Sequence, residues 1–442
     1  MNQTSTLLNR IRVAAKNQTP SRRYSKLGLQ FNPFPRSGTA SINGSDSFNL
    51  RLIPVAEKVL DELLKFISDA LNANELDSTE KFLSAVITGD YGSGKTQLLM
   101  FVKAILSEVA AVHKGQKNPY IIYVDNPGVK LLEFIGTIIS RVGEENFKKF
   151  IWAKVIEKIK ASDEYKSRLE KFRAAGGVLF TDTNPDPYAE ENTVSYKQFL
   201  NSFTRYINNP RTRKEFDETF KDILIRVLDV ESEDSLLAQY FYELISDDYG
   251  VNKTWEALST GGIKQLDKKV VEIIRYIVRL IKEQGYTDFF ILVDEFEDIT
   301  RGRLTKTQVD NYLYNLRALL DEHREWCLLF AMTGEALERL RDVSPPLADR
   351  IGSRIINLPF LKNHEATAII VNYLNMARDQ ESDDLNPFDS TGVEKLNKTV
   401  NGNARRLLRS CYYIVERAAD DLGKNKLIDS EFLTKHLSDE FI

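Results

Sequence analysis

Cysteine and histidine are scarce in this sequence, with two of the first and four of the second in 442 residues. A disulfide-stapled secreted scaffold needs many paired cysteines, and a structural zinc site needs Cys and His clustered at short spacing. Neither pattern is present. Cys327 and Cys411 stand far apart, each in an apolar periodic stretch, and read as packed, reduced thiols. No apolar run reaches the length of a membrane span, so no membrane partner is expected and a cytoplasmic location is. The net charge of −4 offers no global basic surface for nucleic acid. A local exception is residues 1–45, which lack acidic residues altogether and carry Arg10, Arg12, Lys16, Arg22, Arg23, Lys26 and Arg36. Three readings of this basic N-terminal arm stay open: a solvated flexible arm, an arm that touches nucleic acid or an acidic partner, and an organelle transit peptide. Within it, Leu27 to Pro35 is apolar enough to dock on a domain.

What is present points first to phosphate. Gly89-Asp90-Tyr91-Gly92-Ser93-Gly94-Lys95-Thr96 is a complete G-x-x-x-x-G-K-[ST] loop. The apolar run Ser84–Thr88 precedes it as a buried strand. A helical pattern from Gln97 to Glu108 follows, with Leu98, Leu99, Val102, Ile105 and Leu106 on its apolar positions. Strand, glycine loop and helix is the context this motif needs. Glycines let successive N–H groups converge on phosphate oxygens, and the helix N-terminus adds partial positive charge. In such a loop Lys95 reaches the β- and γ-phosphates and Thr96 holds Mg²⁺. Gln97, opening the helix, joins the expected nucleotide-binding set.

Four more buried strands are expected at 120–125, 289–295, 326–333 and 355–360, each a short apolar run. Phe289–Val293 is continuously apolar without alternation, which suggests a strand covered on both faces. Residues 129–286 read as mostly helical, with a loop at 181–187 marked by turn chemistry. A strong stripe runs from Leu266 to Ile281, and Gly285 is expected as its C-cap. Residues 363–442 read as helices alone.

Asp294 and Glu295 close the 289–295 strand, where an open α/β sheet places its ligand. Asp294 suits Mg²⁺, and Glu295 suits polarising the water that attacks a γ-phosphate. Thr333, at the end of the next strand, is expected to orient a carboxylate beside Asp294. Charge that develops on a transferring phosphoryl group calls for arginine. Two places offer it: Gly402-Asn403-Ala404-Arg405-Arg406, where a turn opens a helix, and Leu347 to Arg354, with Arg350 and Arg354 just before the last strand.

Taken in order, this set resembles the AAA+ ATPases, particularly the branch of origin-recognition-type initiators and clamp loaders. The resemblance covers about residues 50–128 and 287–442. It implies an α/β fold: an AAA+ P-loop core with a parallel five-stranded sheet over 46–362, a large helical insertion at about 129–286, and a C-terminal helical lid at 363–442. It also implies ATP and Mg²⁺ as cofactors. By this likeness Gly89–Thr96 looks like Walker A, Phe289–Glu295 like Walker B and Thr333 like sensor 1. Ser353-Arg354 is similar to the clamp-loader arginine finger, with Arg350 the alternative, and Arg405 looks like the sensor-2 arginine. Two departures stand out. The insertion is far longer than a minimal core uses, and only residues 406–442 follow Arg405. That leaves no room for an initiator's winged-helix domain. A weaker resemblance, carried by Trp255–Ser259 and Ile291–Glu297, is to P-loop ATPases of bacterial BREX-type phage-defence islands.

The expected function is therefore Mg²⁺-dependent ATP hydrolysis that drives or gates conformational change in a homo-oligomer or a hetero-assembly, acting on DNA in a prokaryotic defence system. A nucleotide-gated scaffold with negligible turnover is the alternative from another class, and the Asp294-Glu295 pair argues against it. An organellar AAA+ protein is the third, favoured by the acid-free N-terminus alone.

Overall fold

Five short apolar segments pair into one parallel sheet: β1 (Leu83–Thr88), β2 (Tyr120–Val124), β3 (Phe289–Val293), β4 (Cys327–Met332) and β5 (Ile355–Asn357), in the spatial order β2-β3-β4-β1-β5. The structure, a computed structural model, describes residues 23–38, 56–72, 83–112, 119–165, 167, 221–246, 255–257, 270–286, 288–299, 304–322, 326–423 and 426–437. The predicted loop at 181–187 lies outside these residues.

The unbroken apolar character of β3 and β4 has a direct cause. Successive side chains of a strand point to opposite faces, and here both faces are covered. Phe289, Ile291 and Val293 enter one core, and Phe290 and Leu292 enter the other. In β4, Leu328, Phe330 and Met332 join the first core while Cys327, Leu329 and Ala331 join the second. The second core is closed by α1 (Glu57–Asn72) and α2 (Lys95–Val112), through Leu63, Phe66, Leu99 and Val102. The first is closed by α3 (Leu131–Val142), α4 (Glu144–Ala161), α5 (Asp222–Ser232), α6 (Ser235–Ser246) and α7 (Val270–Glu283), together with α8 (Lys306–Glu322), α9 (Gly334–Val343) and α10 (Pro345–Ile351).

The sequence assigns α3 through α7 to an insertion. In the fold, Ile135 and Ile138 of α3 and Ile274 and Ile277 of α7 share one core with Val86, Ile291 and Phe330 of the sheet. The ends of that insertion are thus the sheet's own covering layer. Gly285 ends α7 as expected, at φ +88° with its N–H on the carbonyl of Lys282.

α11 (Asn363–Asn375), α12 (Ser390–Thr399), α13 (Ala404–Asp421) and α14 (Ser430–His436) enclose a separate core, in which Ile370, Leu374, Leu407, Cys411 and Ile414 are buried. Leu27, Leu29 and Phe34, each 3% exposed, complete it. Over residues 23–38 this differs from a solvated flexible arm, and residues 1–22 and 39–45 lie outside the described residues. Residues 23–38 are a strap laid on the lid, and the docking expected of Leu27–Pro35 is its centre. Phe34 stacks on Tyr373 with ring centroids 5.5 Å apart. The backbone N–H of Gln30 donates to the carbonyl of Ala377. Basic residues expected to face solvent or nucleic acid are engaged here. Arg23 pairs with Glu416 and Asp420, and the Lys26 ammonium donates to the carbonyls of Asp420 and Leu422 at the C-terminal end of α13. Cations belong there because the last carbonyls of a helix have no partner inside it. Arg10, Arg12, Lys16 and Arg22 lie outside the described residues.

Both cysteines are free and buried, and burial pushes the Cys327 thiol up to about 12. No described helix is long and apolar enough to cross a membrane.

The strap is a folding element of the lid rather than an accessory to it. Phe34→Ala should lower stability by about 3 kcal/mol through lost burial and a residual cavity. Arg23→Ala, whose partners are half-exposed, should cost less than about 1 kcal/mol. Urea unfolding of the two variants checks the contrast.

Candidate nucleotide-binding site

The glycine loop leaves the C-terminal end of β1, in the interior of the sheet, and runs straight into α2. Gly92 and Gly94 take φ of +80° and +105°, a region that side chains disfavour. The carbonyls of Gly89 through Gly92 and of Gly94 all have donors. The Lys95 ammonium bonds those of Gly89 and Asp90 at 3.0 and 3.2 Å. The Asn403 amide donates to Tyr91 O at 2.8 Å. The N–H of Arg405 donates to Gly92 O at 3.0 Å, and that of Leu98 to Gly94 O at 3.0 Å. The Ser93 hydroxyl is buried and finds no partner among the described residues.

Past β3 the chain turns sharply. Asp294 is 4% exposed, and its N–H still bonds Val124 O as a last rung of the sheet. Its carboxylate accepts from the Tyr123 hydroxyl at 2.9 Å and from the N–H of Glu295 at 3.0 Å. Burial, followed by the Asp294 charge, pushes the Tyr123 phenol well above its ordinary range, so it stays a donor. Glu295 adopts φ +51°, which an ordinary side chain holds only where its surroundings fix it. It leads into a single 3-10 turn, Phe296–Ile299.

The lid closes on the loop from the other side. Gly402, at φ +70°, sits so close to Leu361 O that an added Cβ would lie 2.6 Å from it. Asn403 then caps α13, accepting from the N–H of Arg406, while its amide NH₂ reaches Tyr91. The Arg405 guanidinium lies 4.5 Å from the centroid of the Tyr91 ring. Gly38, at the end of the strap, has no room for a Cβ, which would meet Arg405 O at 2.1 Å.

Between these parts lies a cleft of about 340 Å³. Its walls include Tyr91 through Gln97, Asp294, Glu295 and Arg405, which the sequence groups as one site. Gly89 and Asp90 hold the base of the loop instead. Thr333 and the two candidate finger arginines are not among the wall residues. The Thr333 hydroxyl accepts from the N–H of Ala336 and caps α9, and the side chain that orients Asp294 is Tyr123 of β2. Arg354 pairs with Asp69 of α1 in the same chain. Ser84 Oγ donates to Arg350 O, and the N–H of Val86 to Arg354 O, which ties this corner to the start of β1, away from the loop. Tyr123, Asn403 and Gly38 were not recognisable as site residues from sequence. The turn at Gly402 and the apolar strap were the only local signals near them.

The donors present fit the groups expected. A loop with its carbonyls engaged leaves N–H groups and the Ser93 hydroxyl for phosphate oxygens. Thr96 and Asp294 offer hard oxygen ligands of the kind Mg²⁺ takes, and that ion needs few protein ligands because it keeps water and substrate oxygens. Accordingly, the described residues need not, and do not, contain a cluster of three His, Cys, Asp or Glu able to hold a metal by themselves.

Gly92 is the contact point of loop and lid. A Cβ there would lie 2.6 Å from Asn403 Oδ1, on a left-handed backbone. Gly92→Ala should weaken binding of an added nucleotide by about tenfold, the scale of a left-handed alanine. Gly334→Ala, where a Cβ meets no atom within 4 Å, should leave it unchanged. Calorimetric titration of both variants checks this.

No protein-family model matches the chain, and no curated protein matches it. Among solved structures, it is similar to the Aeropyrum pernix ORC2 protein in its ADPNP–ADP complexes, at 16% identity over 87% of this chain and 68% of that one, with a TM-score of 0.39. The ADP form of the same protein gives 14%, 88%, 70% and 0.39. The Aeropyrum pernix ORC1 protein in complex with DNA gives 13%, 88%, 68% and 0.41. The chain's own five parallel strands, the phosphate loop after β1 and the helices packed against that loop make its fold an α/β P-loop fold.

Proposed function

We propose that this chain is a Mg²⁺-dependent ATPase whose lid couples the state of the nucleotide to the position of α11 through α14. The observation that carries the reading is the convergence on one cleft of Lys95 and its loop, the Asp294–Glu295 pair and Arg405. Lys95 would exchange the carbonyls of Gly89 and Asp90 for phosphate oxygens. Thr96 and Asp294 would hold Mg²⁺, which neutralises phosphate charge. Glu295 accepts a proton from the attacking water. Arg405 leaves the Tyr91 ring for the γ-phosphate, and because its N–H is bonded to the loop, that exchange acts on the lid of the same chain.

The proposal extends to an assembly with other ATPase or effector subunits. Arg354, or Arg350, would serve a neighbour's site in trans, after Arg354 is released from Asp69. Action on DNA in a prokaryotic defence system is the setting proposed from the sequence resemblance alone.

Phosphate release and nucleotide titration test the core of this. Lys95→Ala should lose nucleotide binding. Glu295→Gln should keep binding and lose turnover by about two orders of magnitude or more, the scale of a general base. Equal loss of affinity in both would sink the assignment. A wild-type chain that binds ATP without turnover would leave the scaffold function in its place.

The trans role has its own test. Chains carrying Arg354→Ala mixed with chains carrying Lys95→Ala should recover hydrolysis, because each supplies what the other lacks. A rate independent of protein concentration and of mixing would assign Arg354 to its Asp69 pair alone.

A further inference from the structure

Phosphate-binding groups are only part of the cleft's lining, and the rest of its wall is of different chemistry. Besides the loop its walls include Leu358, Pro359 and Leu361, and one face of α11. That face presents Glu365, Ile369 and Tyr373, spaced four residues apart and therefore in line along the helix. Two of the three are what a flat base packs on. The other is a carboxylate only 4% exposed.

Glu365 has one oxygen in use. Its Oε2 accepts from the N–H of Lys362 at 2.7 Å, the return bond of a capping box at the start of α11. Its Oε1 accepts no hydrogen bond from the described residues. The imidazole of the solvent-exposed His364 lies 3.9 Å from it. Glu365 lines the cleft, and a ligand bound there can supply the donor that Oε1 lacks. Phosphate cannot do so, being an acceptor of the same charge. The donor must come from the uncharged end of the nucleotide.

We infer that Glu365 is the residue that reads the base, with Oε1 accepting the 6-amino group of adenine. The inference rests on the nucleotide-binding reading of the cleft and deepens it. One free acceptor matches one amino group. The paired N–H donors of guanine would suit a carboxylate with both oxygens free, and here Lys362 holds one of them. The strap contributes indirectly, since Phe34 stacks on Tyr373 and keeps that wall in place.

The test compares ATP with purine riboside triphosphate, which lacks the 6-amino group and is otherwise the same. Full-length wild type, Lys95→Ala and Glu365→Gln are titrated with both by calorimetry. Glutamine keeps the cap to Lys362 through its carbonyl oxygen and turns an NH₂ toward the base, so the fold is preserved while the acceptor is lost. Wild type should bind ATP about tenfold or more tightly than the analogue, the size of a hydrogen bond to a charged acceptor. In Glu365→Gln that ratio should fall to about one, with affinity for the analogue kept. Equal affinities in wild type, the same ratio in Glu365→Gln, or GTP binding more tightly than ATP would overturn the inference. If wild type fails to bind ATP, or Lys95→Ala binds it as well, the phosphate site itself is misread and the base reading falls with it.

Discussion

A loop that binds phosphate through its backbone faces a constraint from its own chemistry. Most of its N–H groups must stay available, so they can do little to hold the loop in shape, although that of Ser93 donates to Asp90 O. Its carbonyls must do so instead, and they need donors from elsewhere. In this chain the donors from outside the turn come from three places: the Lys95 side chain, the first turn of α2, and the cap and first turn of α13. The third source is the lid. A loop completed by a distant helix is a loop whose shape depends on where that helix stands. Much of the remaining architecture, from the Gly402 turn to the capping role of Asn403, keeps α13 at that one place.

The carboxylate side of the cleft obeys a related constraint. Burying a charge costs several kcal/mol unless hydrogen bonds compensate. Asp294 is compensated by the Tyr123 hydroxyl and by the next N–H in the chain. That second bond accompanies the left-handed Glu295, an uncommon conformation at the point where the chain must leave the sheet. The site spends backbone strain, of order 1–3 kcal/mol, to put two carboxylates side by side at the end of a buried strand.

The parts of this arrangement that were legible in sequence are those with local causes. Strands β1 to β4 are apolar runs because both faces of the sheet are covered, and a run of that kind is visible in one window. The loop is a spacing of glycines, Lys95 and Thr96. The turn before Arg405 needs Gly402 because no other residue fits against Leu361. What sequence could not show are pairings across hundreds of residues. Tyr123 meets Asp294, Asn403 meets Tyr91, and Arg354 meets Asp69. Nothing in the neighbourhood of Thr333 distinguishes a hydroxyl that caps a helix from one that faces a nucleotide. The seven early cations read alike as composition, yet Arg23 and Lys26 are matched to the acidic and carbonyl-rich end of a helix near the other terminus.

That last match has a consequence for synthesis. The lid's core takes Leu27, Leu29 and Phe34 from one end of the chain and α11 to α14 from the other. A growing chain makes the strap first and must carry it exposed while the sheet and its covering helices are translated. Contacts of such long sequence separation form late, because the loop between them has to be closed first. Three apolar side chains thus wait for their partners while everything between the strap and α11 is made, and a nascent chain released before then keeps them bare. The lid is in this sense a clasp fastened last, and the cleft takes its final form only when the strap has met α11 to α14.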